Sequence, residues 1–290
     1  MRIPMLVVTV GGVLALAASA AHASFPGRNG LIVFARYGGR APGIYVIRVD
    51  GTHVRRLVAG ARHPFASLGP RWSPNGSHIV YFAQRTESDA PRIVVVGATG
   101  MSRRVVLRGQ PGETDLSDPA WTPQGLVSWQ TFAGGIQTCV QVEGEAQPRF
   151  CDAGERANGR WSAEGSYAWR KNGGSELALV NQGGGETRMA ALDGAYPQFD
   201  WSPDGGRFIF VAPYKINNPL PLLAVVRTDA KGWHLLDRGR RPGAEPAWSP
   251  NGKQIVFYDG KGLVIADATG RHLVQLTHNS SDAQPDWQPR

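Results

Sequence analysis

Cysteine is almost missing from this chain: 290 residues contain two, Cys139 and Cys151. That excludes a cysteine-rich zinc module and a disulfide-dense miniature domain. Catalytic signatures are missing as well. There is no Gly-x-Ser-x-Gly elbow, no His-Glu-x-x-His pair and no phosphate loop. The histidines beyond the N-terminus (53, 63, 78, 234, 272 and 278) do not cluster in sequence. No cofactor and no metal is expected. Helical periodicity is absent past residue 23. Long apolar runs are absent too, apart from residues 5–20, which fall short of the ~20 residues that span a bilayer. Acidic side chains are the scarcer charge, 23 against 31 Lys and Arg, for a net charge of +8. Such an excess suits anionic partners.

What the chain has instead is a tryptophan that returns six times, at Trp72, Trp121, Trp161, Trp201, Trp248 and Trp287. The spacings are 49, 40, 40, 47 and 39 residues. Five copies open a turn: Trp72-Ser-Pro-Asn-Gly76, Trp121-Thr-Pro-Gln-Gly125, Trp161-Ser-Ala-Glu-Gly165, Trp201-Ser-Pro-Asp-Gly205 and Trp248-Ser-Pro-Asn-Gly252. Proline presets φ for a turn, and Asn or Asp before Gly suits positions of positive φ. Each turn leads into apolar, β-prone runs such as Ile79–Phe82 and Ile93–Val96, then a small-residue turn and a last run such as Val105–Leu107. Four short strands per repeat, a to d, predict a propeller blade. One Trp at the same place in every blade reads as packing between adjacent sheets.

The ends complete one another. The N-terminal copy starts at Asn29-Gly30 with strand b, and the C-terminal copy stops after strand a, Gln284–Trp287. Pairing that strand with residues 31–58 closes a ring and removes two exposed sheet edges. The expected fold is all-β, a six-bladed propeller of four-stranded antiparallel blades. The Trp-Ser-Pro-Asp-Gly turn, preceded by Pro-Ala at 119–120 and 246–247, resembles the repeat of the TolB-type, WD40-like (PD40) β-propeller family. The resemblance runs over essentially all of the chain after residue 23. It implies a protein or peptide partner in the envelope or outside the cell.

Residues 1–23 read as a signal peptide: Arg2, an apolar stretch, and Ala21-His-Ala23 as a small-x-small cleavage site. The expected domain then covers 24–290, carries a net charge of +7 without Arg2, and is exported to the periplasm or the extracellular space. Cys139 and Cys151 lie on strands c and d of one repeat, around a hairpin centred on Glu145. They therefore face one another, and an oxidising compartment predicts a cross-strand disulfide.

Strands alternate in direction, so the a–b and c–d turns share one face and the d–a and b–c connections share the other. The first set is short and uniform. The second is long and irregular, which is where binding residues gather on rigid scaffolds. Candidates over the channel mouth on that face are His63, Asp118, Arg156, Tyr196, Arg240, Arg241, Glu245, His278 and Asp282. Asp118 and Glu245 each precede a proline, where a turn cap is the plainer role. The expected function is non-catalytic partner binding by a monomer. The alternative is a polysaccharide lyase or hydrolase, with His63 and His278 converging on a metal. Arginines near strand d (Arg55, Arg56, Arg103, Arg104, Arg188, Arg271) protect outer edges or meet an anionic cell-wall polymer. Export argues against nucleic acid.

Overall fold

The computed structural model describes residues 25–60, 68–86, 88–111, 116–133, 137–153, 159–171, 176–180, 186–191, 199–212, 221–228, 234–236 and 243–290. Residues 1–23, where a signal peptide is expected, lie outside the described residues. The first strands are β1 (Asn29–Arg36), β2 (Gly43–Ile47) and β3 (Arg55–Ala59). Blade 2 holds β4 (Leu68–Trp72), β5 (His78–Ala83), β6 (Arg92–Gly97) and β7 (Arg104–Arg108). Blade 3 holds β8 (Leu116–Trp121), β9 (Val127–Ala133), β10 (Gln137–Val142) and β11 (Phe150–Ala153). Blade 4 holds β12 (Arg160–Trp161), β13 (Tyr167–Lys171), β14 (Glu176–Val180) and β15 (Glu186–Ala191). Blade 5 holds β16 (Phe199–Trp201), β17 (Arg207–Ala212), β18 (Leu222–Arg227) and β19 (His234–Leu235). Blade 6 holds β20 (Ala244–Trp248), β21 (Gln254–Tyr258), β22 (Leu263–Asp267) and β23 (Val274–Gln275). The last strand, β24 (Asp282–Pro289), joins β1–β2–β3 as the inner strand of blade 1. The fold is thus a six-bladed propeller closed between its two ends.

Closure is well anchored. In the β1–β24 ladder Ile32 faces Trp287 and Arg36 faces Asp282. Arg28 N donates to Arg290 O at 2.6 Å, and Arg290 N donates back to Arg28 O at 3.0 Å. The Gln288 amide donates to Gly76 O of blade 2 at 2.7 Å, while its oxygen accepts from Leu31 N at 3.0 Å.

The repeated turn is held by its own side chains. The residue after each Trp (Ser73, Thr122, Ser162, Ser202, Ser249) is buried. Its hydroxyl oxygen accepts a backbone N–H where strand b begins, as in His78 N to Ser73 Oγ at 3.0 Å and Gln254 N to Ser249 Oγ at 2.9 Å. Gly76, Gly125, Gly165, Gly205 and Gly252 take φ between 64° and 86°, which favours glycine. The Asn or Asp before glycine was expected to share the positive φ. Asn75, Asp204 and Asn251 do not adopt it. Their Oδ1 atoms instead accept from the Ser hydroxyl (2.8, 2.5 and 2.9 Å) and from the N–H two residues on, an Asx turn.

Inner strands also start earlier than the loops drawn from sequence, at Leu68, Leu116, Ala244 and Asp282. Pro70, Pro119, Pro246 and Pro285 all lie within these strands. An inner strand is an edge strand with one side unpaired, so it accommodates proline.

Six apolar layers fill the seams between blades, and each contains one repeat tryptophan. Trp72, for example, sits among Val33, Ile44 and Val46 of blade 1 and Ile79, Tyr81 and Val94 of blade 2. All six rings are at most 6% exposed. Cys139 and Cys151 are direct ladder partners on β10 and β11 and form a disulfide, with Cα atoms 4.2 Å apart. Among the described residues no helix is long and apolar enough to cross a membrane.

Candidate functional site: the central channel and its mouth

The residue before each repeat Trp follows the ring as Asp286, Arg71, Ala120, Arg160, Asp200 and Ala247. Each aspartate therefore stands three blades from an arginine, and the two alanines stand opposite one another. Arg71, Ala120, Arg160, Asp200 and Asp286 line an axial cavity of about 50 Å³ together with Trp72, Trp121, Trp161, Trp248 and Trp287. Phe25 lines it too. Its chain is held on the turn face by Gly27 N donating to Pro250 O at 3.3 Å. The first described residues thus reach the turn end of the cavity.

The aspartates act across seams. Asp286 Oδ2 accepts Trp72 N–H of blade 2 at 2.7 Å, and Asp200 Oδ2 accepts Trp248 N–H of blade 6 at 2.7 Å. Burial pushes the Asp286 carboxyl up to about 6. Arg71, the Trp72 N–H and Arg160 oppose that rise, and Asp200 adds to it. Asp286 keeps some accessible area, but that area faces the enclosed channel rather than bulk water, so desolvation governs.

Two residues earlier in each inner strand lies the mouth layer, nearer the inter-blade connections. Gly69, Glu245 and Gln284 occupy it with φ of 61°, 53° and 51°, at ladder irregularities in β4, β20 and β24. Bulges of this kind re-aim side chains. Here they build a relay around the rim. Gln284 N donates to Glu245 Oε2 at 2.7 Å, and Gly69 N donates to Gln284 Oε1 at 2.5 Å. The Tyr37 hydroxyl donates to the same Gln284 oxygen at 2.5 Å. Burial raises the Glu245 carboxyl, against the Gln284 N–H and Arg71. Burial, then the Glu245 charge, raises the Tyr37 hydroxyl well above its ordinary value.

Of the residues expected at the mouth, Glu245 enters this relay. Asp282 is fully buried and paired with Arg36, whose Nε and second terminal nitrogen lie 2.5 and 2.8 Å from its two oxygens. The Arg36 guanidinium stacks over the Tyr45 ring at 4.5 Å. His278 is exposed between β23 and β24. Asp118 shares the register of Glu245, three residues before its Trp, in β8. Asp118, Glu245 and Asp282 thus belong to strands rather than to loops. His63, Arg156, Tyr196, Arg240 and Arg241 lie outside the described residues. Sequence reasoning missed Arg71, Arg160, Asp200, Asp286, Tyr37 and Gln284. Aligning the repeats one residue before Trp exposes the first four, since four of the six copies carry a charge there.

Among the described residues no group of three or more His, Cys, Asp or Glu is placed to hold a metal ion. On the rim, Arg55 donates to Thr99 O at 2.8 Å, and Arg104 grips Glu143 through both terminal nitrogens at 2.6 and 3.2 Å. Both arginines tie strand d of one blade to the c–d turn of the next.

No protein-family profile matches the chain. Over 78 residues it is 35% identical to the Tol-Pal system protein TolB of Rhizorhabdus wittichii; the stretch is 27% of this chain and spans 16% of that protein. Among solved structures it is similar to TolB from Acinetobacter baumannii, with a TM-score of 0.72 at 20% identity over 90% of this chain and 67% of that one. It is also similar to putative TolB from Agrobacterium tumefaciens, with a TM-score of 0.62 at 17% identity over 90% and 91%. At these identities the likeness shows the fold.

Proposed function

Taking the TolB-like propeller fold as premise, we propose that this chain is an exported, non-catalytic monomer that captures a protein or peptide partner over its channel mouth. The observation that carries this is the relay Glu245–Gln284–Gly69 with Tyr37. It is a polar rim assembled by backbone bonds across three blades, so a partner meets it with little ordering cost. Phe25 lines the channel at the opposite end, and on this reading the mouth is the side of approach. His278 stands exposed beside that approach, the proposal assigns His63, Asp118, Arg156, Tyr196, Arg240 and Arg241 to partner contacts there, and the Arg36–Asp282 pair ties β1 to β24. Export draws support from the Cys139–Cys151 disulfide, which persists in oxidising compartments, and from the signal-like residues 1–23. The Rhizorhabdus relative is by name a Tol-Pal system protein, and a periplasmic or extracellular protein partner for this chain is part of the proposal.

A photo-crosslinker placed at His278 in the living envelope tests it, with the same group at the exposed Glu164 on the turn face as control. One covalent partner from position 278 and none from 164 is the expected result. Equal capture from both positions, or none from 278 in folded protein, refutes the reading. The mass of the purified protein should correspond to a chain starting at Ser24.

A further inference from the structure

The seams between blades are not alike, and they differ along with the residue before each Trp. At seams 1/2 and 5/6 that residue is Asp286 or Asp200, which clamps the backbone N–H of the next Trp. The neighbouring a–b turns then touch: a Cβ on Gly76 would meet Pro289 O at 2.1 Å, and one on Gly252 would meet Pro203 Cγ at 3.2 Å. At seams 2/3 and 4/5 it is Arg71 or Arg160. The next Trp instead donates its indole N–H to the arginine carbonyl, Trp121 to Arg71 O at 3.0 Å and Trp201 to Arg160 O at 3.2 Å. Gly125 and Gly205 then face open space, with nothing within 4 Å of a Cβ. At seam 2/3 the gap is a cleft of about 450 Å³, lined by Asn75, His78, Arg104, Trp121, Pro123 and Gln124 among others. Small-ligand sites run to ~300–1,000 Å³.

The polar atoms of this cleft have determined roles. Asn75 Oδ1 accepts from Ser73 Oγ, Ser77 N and Ser77 Oγ, so its amide nitrogen is the group left to face outward. Ser77 spends its one hydroxyl proton on Asn75 Oδ1. It must therefore accept from His78 Nδ1, 2.7 Å away. A neutral His78 then presents Nε2 as an acceptor. Arg104 gives Glu143 one N–H from each terminal nitrogen, which leaves Nε–H and one hydrogen on each terminal nitrogen. Gln124 is exposed and supplies both an amide donor and an acceptor. Pro123 and Trp121 add an apolar wall, and among the described residues no carboxylate lines the cleft.

We propose that this cleft, on the turn face and apart from the channel mouth, binds an anionic sugar. The anionic group meets Arg104, ring hydroxyls meet His78 Nε2 and the Asn75 and Gln124 amides, and the C–H face of the ring lies on Pro123. A carboxylate and a phosphate share this chemistry, and the test separates them. The C–H resonances of His78 are followed by NMR in the purified, disulfide-intact protein during titration with D-glucuronate, glucose 6-phosphate, D-glucose or acetate at constant ionic strength. Saturable shifts in the millimolar range are expected with at least one anionic sugar, and binding of glucose and acetate should be at least tenfold weaker. Saturation by glucuronate alone assigns the carboxylate, and by glucose 6-phosphate alone the phosphate. Arg104→Met should weaken binding at least tenfold, with only a small fall in melting temperature from loss of the exposed pair with Glu143. Gln124→Trp, which fills the cleft from an exposed turn, should abolish it and stands in if Arg104→Met fails to fold. Shifts that do not saturate, that acetate reproduces, or that survive both variants overturn the proposal. None of these outcomes depends on the mouth, so the partner-binding reading stands or falls separately.

Discussion

Replacing Asp286 with asparagine should remove a specific part of the pH dependence of folding. The Asp286 carboxyl is raised from 3.8 to about 6 in the folded protein. The folded state therefore holds this proton more tightly than the unfolded chain does. Its contribution is fully present below pH ~4 and is lost as the pH rises through ~6. A tenfold change in proton affinity is worth about 1.36 kcal/mol, so the loss is of order 3 kcal/mol. Asparagine keeps an oxygen that can accept the Trp72 N–H but cannot ionise. The stability of Asp286→Asn minus that of the parent should therefore grow by roughly 3 kcal/mol between pH 4 and pH 7. In melting temperature that is on the order of 6–12 °C for a chain of this size. Asp50, Asp204, Asp267 and Glu143 have lowered values and pull the other way, since stability from such groups is lost as pH falls. They are common to both proteins and cancel in the difference. Urea unfolding at half-unit pH steps measures it. Parallel curves for parent and variant between pH 4 and 7 would refute the argument that channel burial, rather than the flanking arginines, controls this carboxyl.

Three other perturbations probe independent parts of the fold. Cys139→Ser should cost about 2–3 kcal/mol in denaturant midpoint, the loop-closure value for a crosslink of this length, and reductant should have the same effect on the parent and none on the variant. Arg36→Met strands the buried Asp282 carboxylate and should cost about 3–5 kcal/mol. Adding Asp282→Asn to it should recover most of that loss in the same urea assay. Trp201→Ala empties one inter-blade layer and should cost about 3–5 kcal/mol, read as a lower thermal midpoint with unchanged β-sheet circular dichroism below the transition.

The blade count and the ring closure were legible because they rest on local chemistry repeated along the chain. Ser73, Thr122, Ser162, Ser202 and Ser249 recur because each accepts an N–H where strand b starts. Gly76 and its counterparts recur because each takes a positive φ. The cysteine register was legible because an antiparallel hairpin pairs residues by simple counting. The mouth was legible in part. Glu245 and Asp282 stand out as acids in a basic chain. Pro246 beside Glu245 hid that this acid sits in a strand, because the tolerance of an inner edge for proline depends on having no sheet partner there.

The sequence alone determined that strands of this length would stack into six blades and that the two ends must share one, since the turn signals and apolar runs act within ten residues of themselves. Which charged groups meet across the axis was decided only in three dimensions. Asp286 and Arg71 are 215 positions apart in the chain, and only ring closure makes their strands neighbours. The same holds for the cleft at seam 2/3. There the Trp121 indole bonds the Arg71 carbonyl, whereas an aspartate side chain clamps the next backbone N–H at seams 1/2 and 5/6, a contact between blades that no local pattern records.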